Sequence, residues 1–508
     1  MIPWYFLALV LLGLPSLAQA QFHNQVEHND VPSFDFNHTL QQAHKNILRL
    51  ELKNAYGLIQ KEKARNNGNV MTYVIEDCFD FYKILVNENY REFNQLLPQR
   101  DIRLTKVSIG DKASPYYLYA QAEIYLHWAL LKLKFQDNIN ALQDIKKAQS
   151  LAATNAQRFP DFMPNKRTLG MLNVIMDLAN KESRWGGMLL GLGSGSVQKG
   201  LEQIQDVIRY GRRNPSFEFN EETQILYALL LLSIGSTDNA HWNALNASLL
   251  DYQKSPMAAY ILANMCLLTG KSAKALTILQ STPQTDQYQP LYGLEYLKGL
   301  CKLYKLDLSA DQHFDRYLNN YRGELYIKDA YQKLAWVHIL KGNKGQADFC
   351  FQNALQKGTT YLAVDALAQA ELELNIPTDP VLLRARLLYE GGYYAQAYKE
   401  LAAKNESQFK SISHKVEFHY RMGLLSELVQ KTDDAAKSYD LAASLGGNEN
   451  HYYACAAALN AGKIWEKRQD SEKAKRYFQL CLKLKPKLYR TALHQEAQTR
   501  LQKYGKPR

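Results

Sequence analysis

From about residue 220 onward, small residues recur at fixed offsets. That recurrence constrains the fold more than any other feature of the chain. In its clearest copy, Leu334 and Ala335 are followed by Gly342, Ala347, Phe351 and Ala354. Ala335 stands twelve residues before Ala347, Gly342 five before it, and Phe351 four after it. A small residue on one helix lets a second helix approach closely, and glycine ends the first helix or permits the turn. The alanine of the second helix then takes the tightest point of the crossing. The large residue one turn later fills the gap to the next unit.

The same offsets fit Ala228, Gly235, Ala240 and Ala247; then Ala263, Gly270, Ala275 and Leu279; then Leu297, Ala310 and Phe314. They return at Ala385, Gly392, Ala397 and Leu401, at Gly423, Ala435, Tyr439 and Ala442, and at Gly462, Trp465, Ala474 and Phe478 before Pro486. The key alanines are spaced by 35, 35, 37, 50, 38 and 39 residues. The 50 leaves room for one further helix, read at 361–374.

Two antiparallel helices in about 34 residues, small at the crossing, are the tetratricopeptide (TPR) signature. The expected fold is all-α, a TPR-like α-solenoid of antiparallel helix pairs. The chain has 508 residues, 46% of them hydrophobic, which excludes disorder and exceeds what one compact core holds. The array is placed at 221–490, and a basic C-terminal tail at 491–508. Residues 70–220 read as helical but irregular, with helices at 70–86 and 115–135. A second hairpin helix carries Ala141, Ile145 and Ala148, and 87–111 reads as a short helix and a loop. A polar and helical lead-in is assigned to 21–69, and a Gly-rich insertion to the region near 185–196.

Two stretches carry a family resemblance. One runs from Arg158-Phe159-Pro160 through Leu169-Gly170-Met171-Leu172 and Trp185-Gly186-Gly187 to Gly200-Leu201. The other is Gly323 to Ala354. Their order resembles the eukaryotic tetratricopeptide-repeat protein 39 family and its fungal relatives, over residues 115–490. The resemblance implies a helical repeat fold without catalysis. That family is intracellular, whereas this chain carries an export signal, so it looks more like a bacterial envelope protein with TPR repeats.

The export signal is residues 1–20: an apolar run to Leu17 and then Leu17-Ala18-Gln19-Ala20, a small-x-small ending that suits signal peptidase. No Lys or Arg precedes the run. Its length, residues 2–17, is short of the roughly 20 residues a membrane span needs. The address expected is the periplasm or outer-membrane periphery of a Gram-negative-type envelope. Export raises the question of disulfides among Cys78, Cys266, Cys301, Cys350, Cys455 and Cys481. They are widely separated within apolar helical patterns and read as mostly free, buried thiols.

Catalytic templates are not met. The sequence has no His-Glu-x-x-His, no Gly-x-Ser-x-Gly and no Cys-x-x-Cys. Gly191-Leu192-Gly193-Ser194-Gly195 lacks the Lys-Ser or Lys-Thr of a phosphate-binding loop and reads as a connection. His23, Glu27 and His28 cluster near the terminus but have no preorganised geometry there. No cofactor and no metal is expected, and the chain reads as a non-enzyme. A hydrolase with a site assembled from the N-terminal half is the alternative, which converging carboxylates or histidines in a cavity there would favour.

What remains is a binding surface. First helices line the concave face of such an array, and their exposed positions are expected to be Tyr260, Asn264, Tyr292, Lys302, Gln332, Trp336, Arg386, Tyr389, Tyr420 and Lys463. Aromatic rings and arginine suit a groove for a protein or peptide partner. Some of these side chains are equally suited to packing between helices. A carboxylate clamp for an acidic chaperone tail is disfavoured, because Tyr260, Glu295, Gln332 and Trp336 occupy the relevant positions.

The second candidate partner is an anionic membrane surface. Residues 461–508 hold fourteen Lys and Arg against four Asp and Glu, which accounts for nearly all of the chain's +11. The basic patch is read as Lys473, Lys475, Arg476, Lys483, Lys485, Lys487 and Arg490, either a polar cap or a contact with acidic lipid or polymer. No nucleic acid partner is expected of an exported chain.

Overall fold

A computed structural model of the chain describes residues 31–181, 194–243, 245, 250–447 and 449–504. The expected export signal, most of the Gly-rich insertion and residues 505–508 lie outside these. The described residues are helical, with one isolated bridge between Ser33 and Asn69. No helix among them is long and apolar enough to cross a membrane.

The chain forms two compact units. The first comprises residues up to 268 with 277–294 and 320–324, and the second comprises 269–276, 295–319 and 325 onward. The first holds α1 (His38–Leu48), α2 (Leu52–Arg65), α3 (Met71–Asn87), α4 (Tyr90–Leu96), α5 (Gln99–Ser108), α6 (Tyr116–Lys134), α7 (Asn138–Arg158), α8 (Met163–Lys181), α9 (Val197–Arg213), α10 (Asn220–Ser233), α11 (Asn239–Asn243) and α12 (Pro256–Leu268). Three helices contribute residues to both: α13 (Ser272–Gln280), α14 (Gly293–Tyr304) and α15 (Ala310–Asn320). The second continues with α16 (Ile327–Leu340), α17 (Lys344–Gln356), α18 (Ala363–Glu373), α19 (Pro380–Glu390), α20 (Tyr394–Ala402), α21 (Ile412–Leu428), α22 (Thr432–Leu445), α23 (Tyr453–Lys467), α24 (Ser471–Lys483) and α25 (Arg490–Gln502).

In the first unit α6 packs along α7, burying Ala141, Ile145 and Ala148 as their spacing predicts. Helices α8 and α9 approach backbone to backbone. A Cβ added to Gly200 would lie 2.5 Å from the Gly170 carbonyl oxygen, so only glycine permits this distance. The stretch expected to hold one short helix holds two, α4 and α5, because Pro98 begins a second turn rather than ending structure. The repeat expected around Ala240 is described only in part, because Ala247 lies outside the described residues. Its second helix, α11, has five residues, and Ala240 is exposed, so it is not a crossing alanine. Helix α10 instead belongs to the first unit's core, burying Ile225, Tyr227, Ala228 and Leu231.

In the second unit the tetratricopeptide pattern is realised as antiparallel pairs: α16 with α17, α19 with α20, α21 with α22 and α23 with α24, closed by α25. Ala335, Ala347, Ala385, Ala397, Ala435 and Ala474 are all buried. The aromatic residue one turn after the key alanine has a more specific task than filling the gap to the next repeat. It lies over the small residue of its own pair. Phe314 covers Gly299, Tyr439 covers Gly423, and Phe478 covers Gly462, each so closely that a Cβ would fall 2.5–2.8 Å from the ring. The wide interval holds α18, as the 50-residue spacing requires. The turn glycines also carry long-range packing. Gly392, at φ +83°, approaches Gly270 so closely that a Cβ would sit 1.7 Å from the Gly270 carbonyl oxygen. The Ser272 hydroxyl donates to Gly391 O at 2.6 Å beside it.

Candidate functional site

Trp336 and its surroundings are organised by α18. Lys333 Nζ lies 4.0 Å from the Trp336 ring centroid and Arg386 Cζ 4.6 Å, so the indole is bounded by two cations. Arg386 donates through Nη1 and Nη2 to both oxygens of Glu371 on α18, at 3.1 and 3.0 Å, and through Nε to Glu390 at 2.8 Å. The fork geometry suits guanidinium and not ammonium. Gln332 donates to Glu371 at 3.0 Å. Burial alone would raise the Glu371 pKa, but the Arg386 guanidinium outweighs it and holds the group down at about 2. Helix α18 also supplies Asp365, which accepts from the backbone N–H groups of Tyr326 and Asp329 at the start of α16. Burial pushes Asp365 up to about 7, against the pull of those hydrogen bonds.

Next to this lies a layer of rings from α21, α23 and the start of α25. Tyr420 stacks on Tyr453 at 5.2 Å, and His451 stacks on the other side of that cluster at 3.7 Å from Tyr453. Tyr452 meets Tyr420 and, edge-on, Tyr489. Arg421 Cζ lies 5.4 Å from the Tyr453 ring centroid, its Nη2 reaches the phenol oxygen at 3.2 Å, and its Nε donates to Glu417 at 2.6 Å. Burial lowers His451 to about 4, so its imidazole is neutral at pH 7. Four of the chain's 33 tyrosines meet in this layer.

The expected groove residues separate into groups. Gln332, Trp336 and Tyr420 are buried, Trp336 to 2% exposure, and form the floor rather than open anchors. The reason is that a ring on a first helix is covered by the next first helix whenever that helix brings a long side chain, as Arg386 does here. Arg386 and Tyr389 are half-buried and remain reachable from outside, as are Glu390, Tyr452 and Tyr489, which sequence spacing did not single out. Lys463 sits elsewhere, paired with Glu496 at 2.7 Å in a charged pocket lined by Glu427, Asn460, Glu466, Lys467 and Arg500. Lys302 is held by Ser309 Oγ at 2.8 Å. Tyr260, Asn264 and Tyr292 are half-buried in the first unit, with Asn264 donating to the Tyr260 carbonyl.

The basic residues also separate. Lys473 and Lys475 are neutralised locally by Asp470 and Glu472. Lys483, Lys485 and Lys487 are exposed, while Leu484, Pro486 and Leu488 between them are buried. Alternation along the segment leaving α24 thus puts three lysines on its outer side. With Arg476 and Arg490 they have no carboxylate partner among the described residues.

The first unit holds a polar cluster that no spacing announced. Arg167 on α8 is fully buried, and its guanidinium is shared by Glu123 on α6, Glu222 on α10 and the Tyr119 hydroxyl. His44 Nε2 lies 3.5 Å from Glu222, and His127 Nδ1 2.8 Å from Asp77, which also accepts from Trp128 Nε1 at 2.8 Å. Asp77 and Asp80 pair with Arg103. Burial would raise Glu222, yet Arg167 holds it well below the carboxylate range. Burial would lower His127, yet the Asp77 hydrogen bond and charge raise it.

These are the converging carboxylates and histidines that would favour a hydrolase. However, each is buried and already paired with a protein group. Ligand atoms of Glu123, His127 and Glu222, and of His44, Cys78 and Glu222, come within 4.8 Å of one another. The Arg167 guanidinium already bridges the two glutamates there, and a metal ion would have to sit against its positive charge.

No family model matches the chain, and no curated protein matches it. Among solved structures it is similar to a monomeric mutant of IFIT1 with Gppp-AAAA, at 14% identity over 88% of this chain and 100% of that one, with a TM-score of 0.31. It is similar to the Rap protein complexed with competence and sporulation factor, at 10% identity over 90% of this chain and 98% of that one, TM-score 0.29. It is also similar to the Cut9–Hcn1 hetero-tetramer of APC/C, at 12% identity over 90% and 95%, TM-score 0.25.

Proposed function

We propose that this chain is an exported, non-catalytic scaffold that holds a protein or peptide segment against the first-helix face of its second unit. One observation carries the reading. Arg386, Tyr389, Glu390, Tyr452 and Tyr489 reach solvent from a floor of packed rings and ion pairs. Half-buried tyrosines over a rigid floor supply contact area at low entropy cost, and the paired Arg and Glu offer directional polar edges. The small-x-small ending at Ala20 supports export. Residues that bind through such a face lose about 2 kcal/mol or more when an anchor is truncated, roughly 30-fold in affinity.

A second reading places the contact on the outer lysines. Its support is that Lys483, Lys485 and Lys487 face outward together without carboxylate partners. That arrangement suits an anionic membrane surface at the envelope periphery.

The test is affinity capture from envelope extract at low and high salt. It compares wild type with Tyr389→Ala/Tyr452→Ala and with Lys483→Glu/Lys485→Glu/Lys487→Glu. The face reading expects a protein partner retained in high salt, lost by the tyrosine variant and kept by the lysine variant. The reverse pattern, with steep salt dependence, would overturn it in favour of the basic surface. Both variants alter exposed or half-buried positions, so circular dichroism should confirm that each is folded.

A further inference from the structure

The six cysteines are buried. Two of them, Cys455 on α23 and Cys481 on α24, have sulfurs 3.5 Å apart. The hairpin register explains the meeting. Gly462 and Ala474 are the small crossing residues of this pair, twelve apart. Cys455 lies seven residues before Gly462, and Cys481 seven after Ala474. In an antiparallel hairpin, equal steps outward from a facing pair end at another facing pair. Seven residues are two turns, which returns both side chains to the same seam.

The other pairs obey the same rule. Lys328 lies seven before Ala335, and its Nζ reaches the carbonyl of Ala354, seven after Ala347, at 3.1 Å. Val416 and Ala442 hold the corresponding positions of the α21–α22 pair, and both are buried in one cluster.

We propose that Cys455 and Cys481 form a site for reversible disulfide formation, tying α23 to α24, with a small-molecule or protein disulfide as oxidant. The Cys455 thiolate attacks one sulfur of the external disulfide. One thiolate leaves and takes up a proton, and a mixed disulfide remains on Cys455. Cys481 then loses its proton and attacks the Cys455 sulfur, expelling the second thiolate. Two protein thiols are oxidised, and one external disulfide is reduced to two thiols. The contact between the two sulfurs lowers the Cys455 pKa and raises that of Cys481, which favours Cys455 as the attacking group. Closing the bond requires the sulfurs to approach from 3.5 Å to about 2.05 Å, a rotamer-scale movement. Cys78 and Cys350, buried on α3 and α17, are cysteines outside this hairpin whose labelling can be followed in the same map.

The experiment refolds the full chain from denaturant in a mixture of oxidised and reduced glutathione, quenches exchange with acid, and then unfolds the chain again with N-ethylmaleimide present so that every remaining thiol is blocked. Intact mass and peptide mapping follow. The expected result is a cross-linked peptide containing Cys455 and Cys481, with neither of the two labelled. The chain's melting temperature should be about 5 °C higher than in dithiothreitol. Cys455→Ser and Cys481→Ser, each alone, should remove both the cross-link and the redox-dependent part of the melting shift. Six labels after oxidising refolding, or cross-links that join Cys455 or Cys481 to other cysteines instead of to each other, would overturn the proposal. Because the readout is a covalent map, it holds even where a variant lowers stability.

Discussion

Each unit buries an arginine against two glutamates, and the two arrangements differ in their access to water. Arg167 is 1% exposed at its side chain, with Glu123 and Glu222 at 5% and 3%. Arg386 is 16% exposed, with Glu371 at 10% and Glu390 at 28%. The same chemistry therefore does two jobs. Sealed inside α6, α8 and α10, the charges cannot exchange partners and act as a register device for the helices that supply them. At the edge of α16, α18 and α19, the ion pair stiffens a surface that other molecules can reach. Recognition needs groups held in place but not covered, which is why the proposed contact is put on Arg386 and its neighbours and not on Arg167.

The largest expected effect tests the sealed site. Arg167→Met should leave two buried carboxylates without a counter-charge and cost about 4 kcal/mol in urea unfolding. Arg386→Met should cost about half of that, because its partners regain water. Equal costs at the two sites would break the comparison. Glu371→Gln should cost about 2 kcal/mol at pH 7 and also change the acid limb. The folded-state pKa of Glu371 lies near 2, below the ordinary 4.5, so its contribution is complete above pH 4.5 and is lost as pH falls towards 2. The variant's stability should therefore fall less over that window, as read by chemical denaturation across pH.

Asp365 gives the opposite sign. Its folded pKa of about 7 lies above the ordinary 3.8, so protonation favours the folded state. Stability should decline as pH rises from about 4 through 7, and Asp365→Asn should flatten that slope. A wild-type profile with no decline over this window would mean that the two backbone N–H groups outweigh burial at the α16 start. The smallest effect belongs to the outer lysines. Lys483→Glu/Lys485→Glu/Lys487→Glu should change unfolding stability by no more than about 0.5 kcal/mol. A larger loss would show that these side chains support the end of the array rather than stand free of it.

Much of the second unit was legible along the chain, because a hairpin crossing is a local problem. Ala335 with Ala347, and Gly462 with Ala474, announce themselves by a fixed offset that sterics impose. The interval of 50 residues announced α18 for the same reason. It did not announce that α18 would supply Glu371 to Arg386, since Glu371 looks like any charged residue on a helix until α19 is placed against it. Ala240 shows the limit from the other side. It sits at the right offset, but α11 has five residues and the alanine is exposed, so the offset is necessary and not sufficient. Trp336 was marked for a first helix correctly, yet its exposure depended on its neighbours.

The sequence by itself determined the helical class, the hairpin unit and its register, because these depend on residues within one or two turns or across one loop. The register even sets Cys455 opposite Cys481 once the crossing residues are known. Tertiary structure alone decided which charges are sealed and which are open. Glu123, Arg167 and Glu222 lie 44 and 55 residues apart and come from three helices, so no local pattern links them. Burial of a charge is a property of everything packed around it, and water access is settled only when the last covering helix is in place.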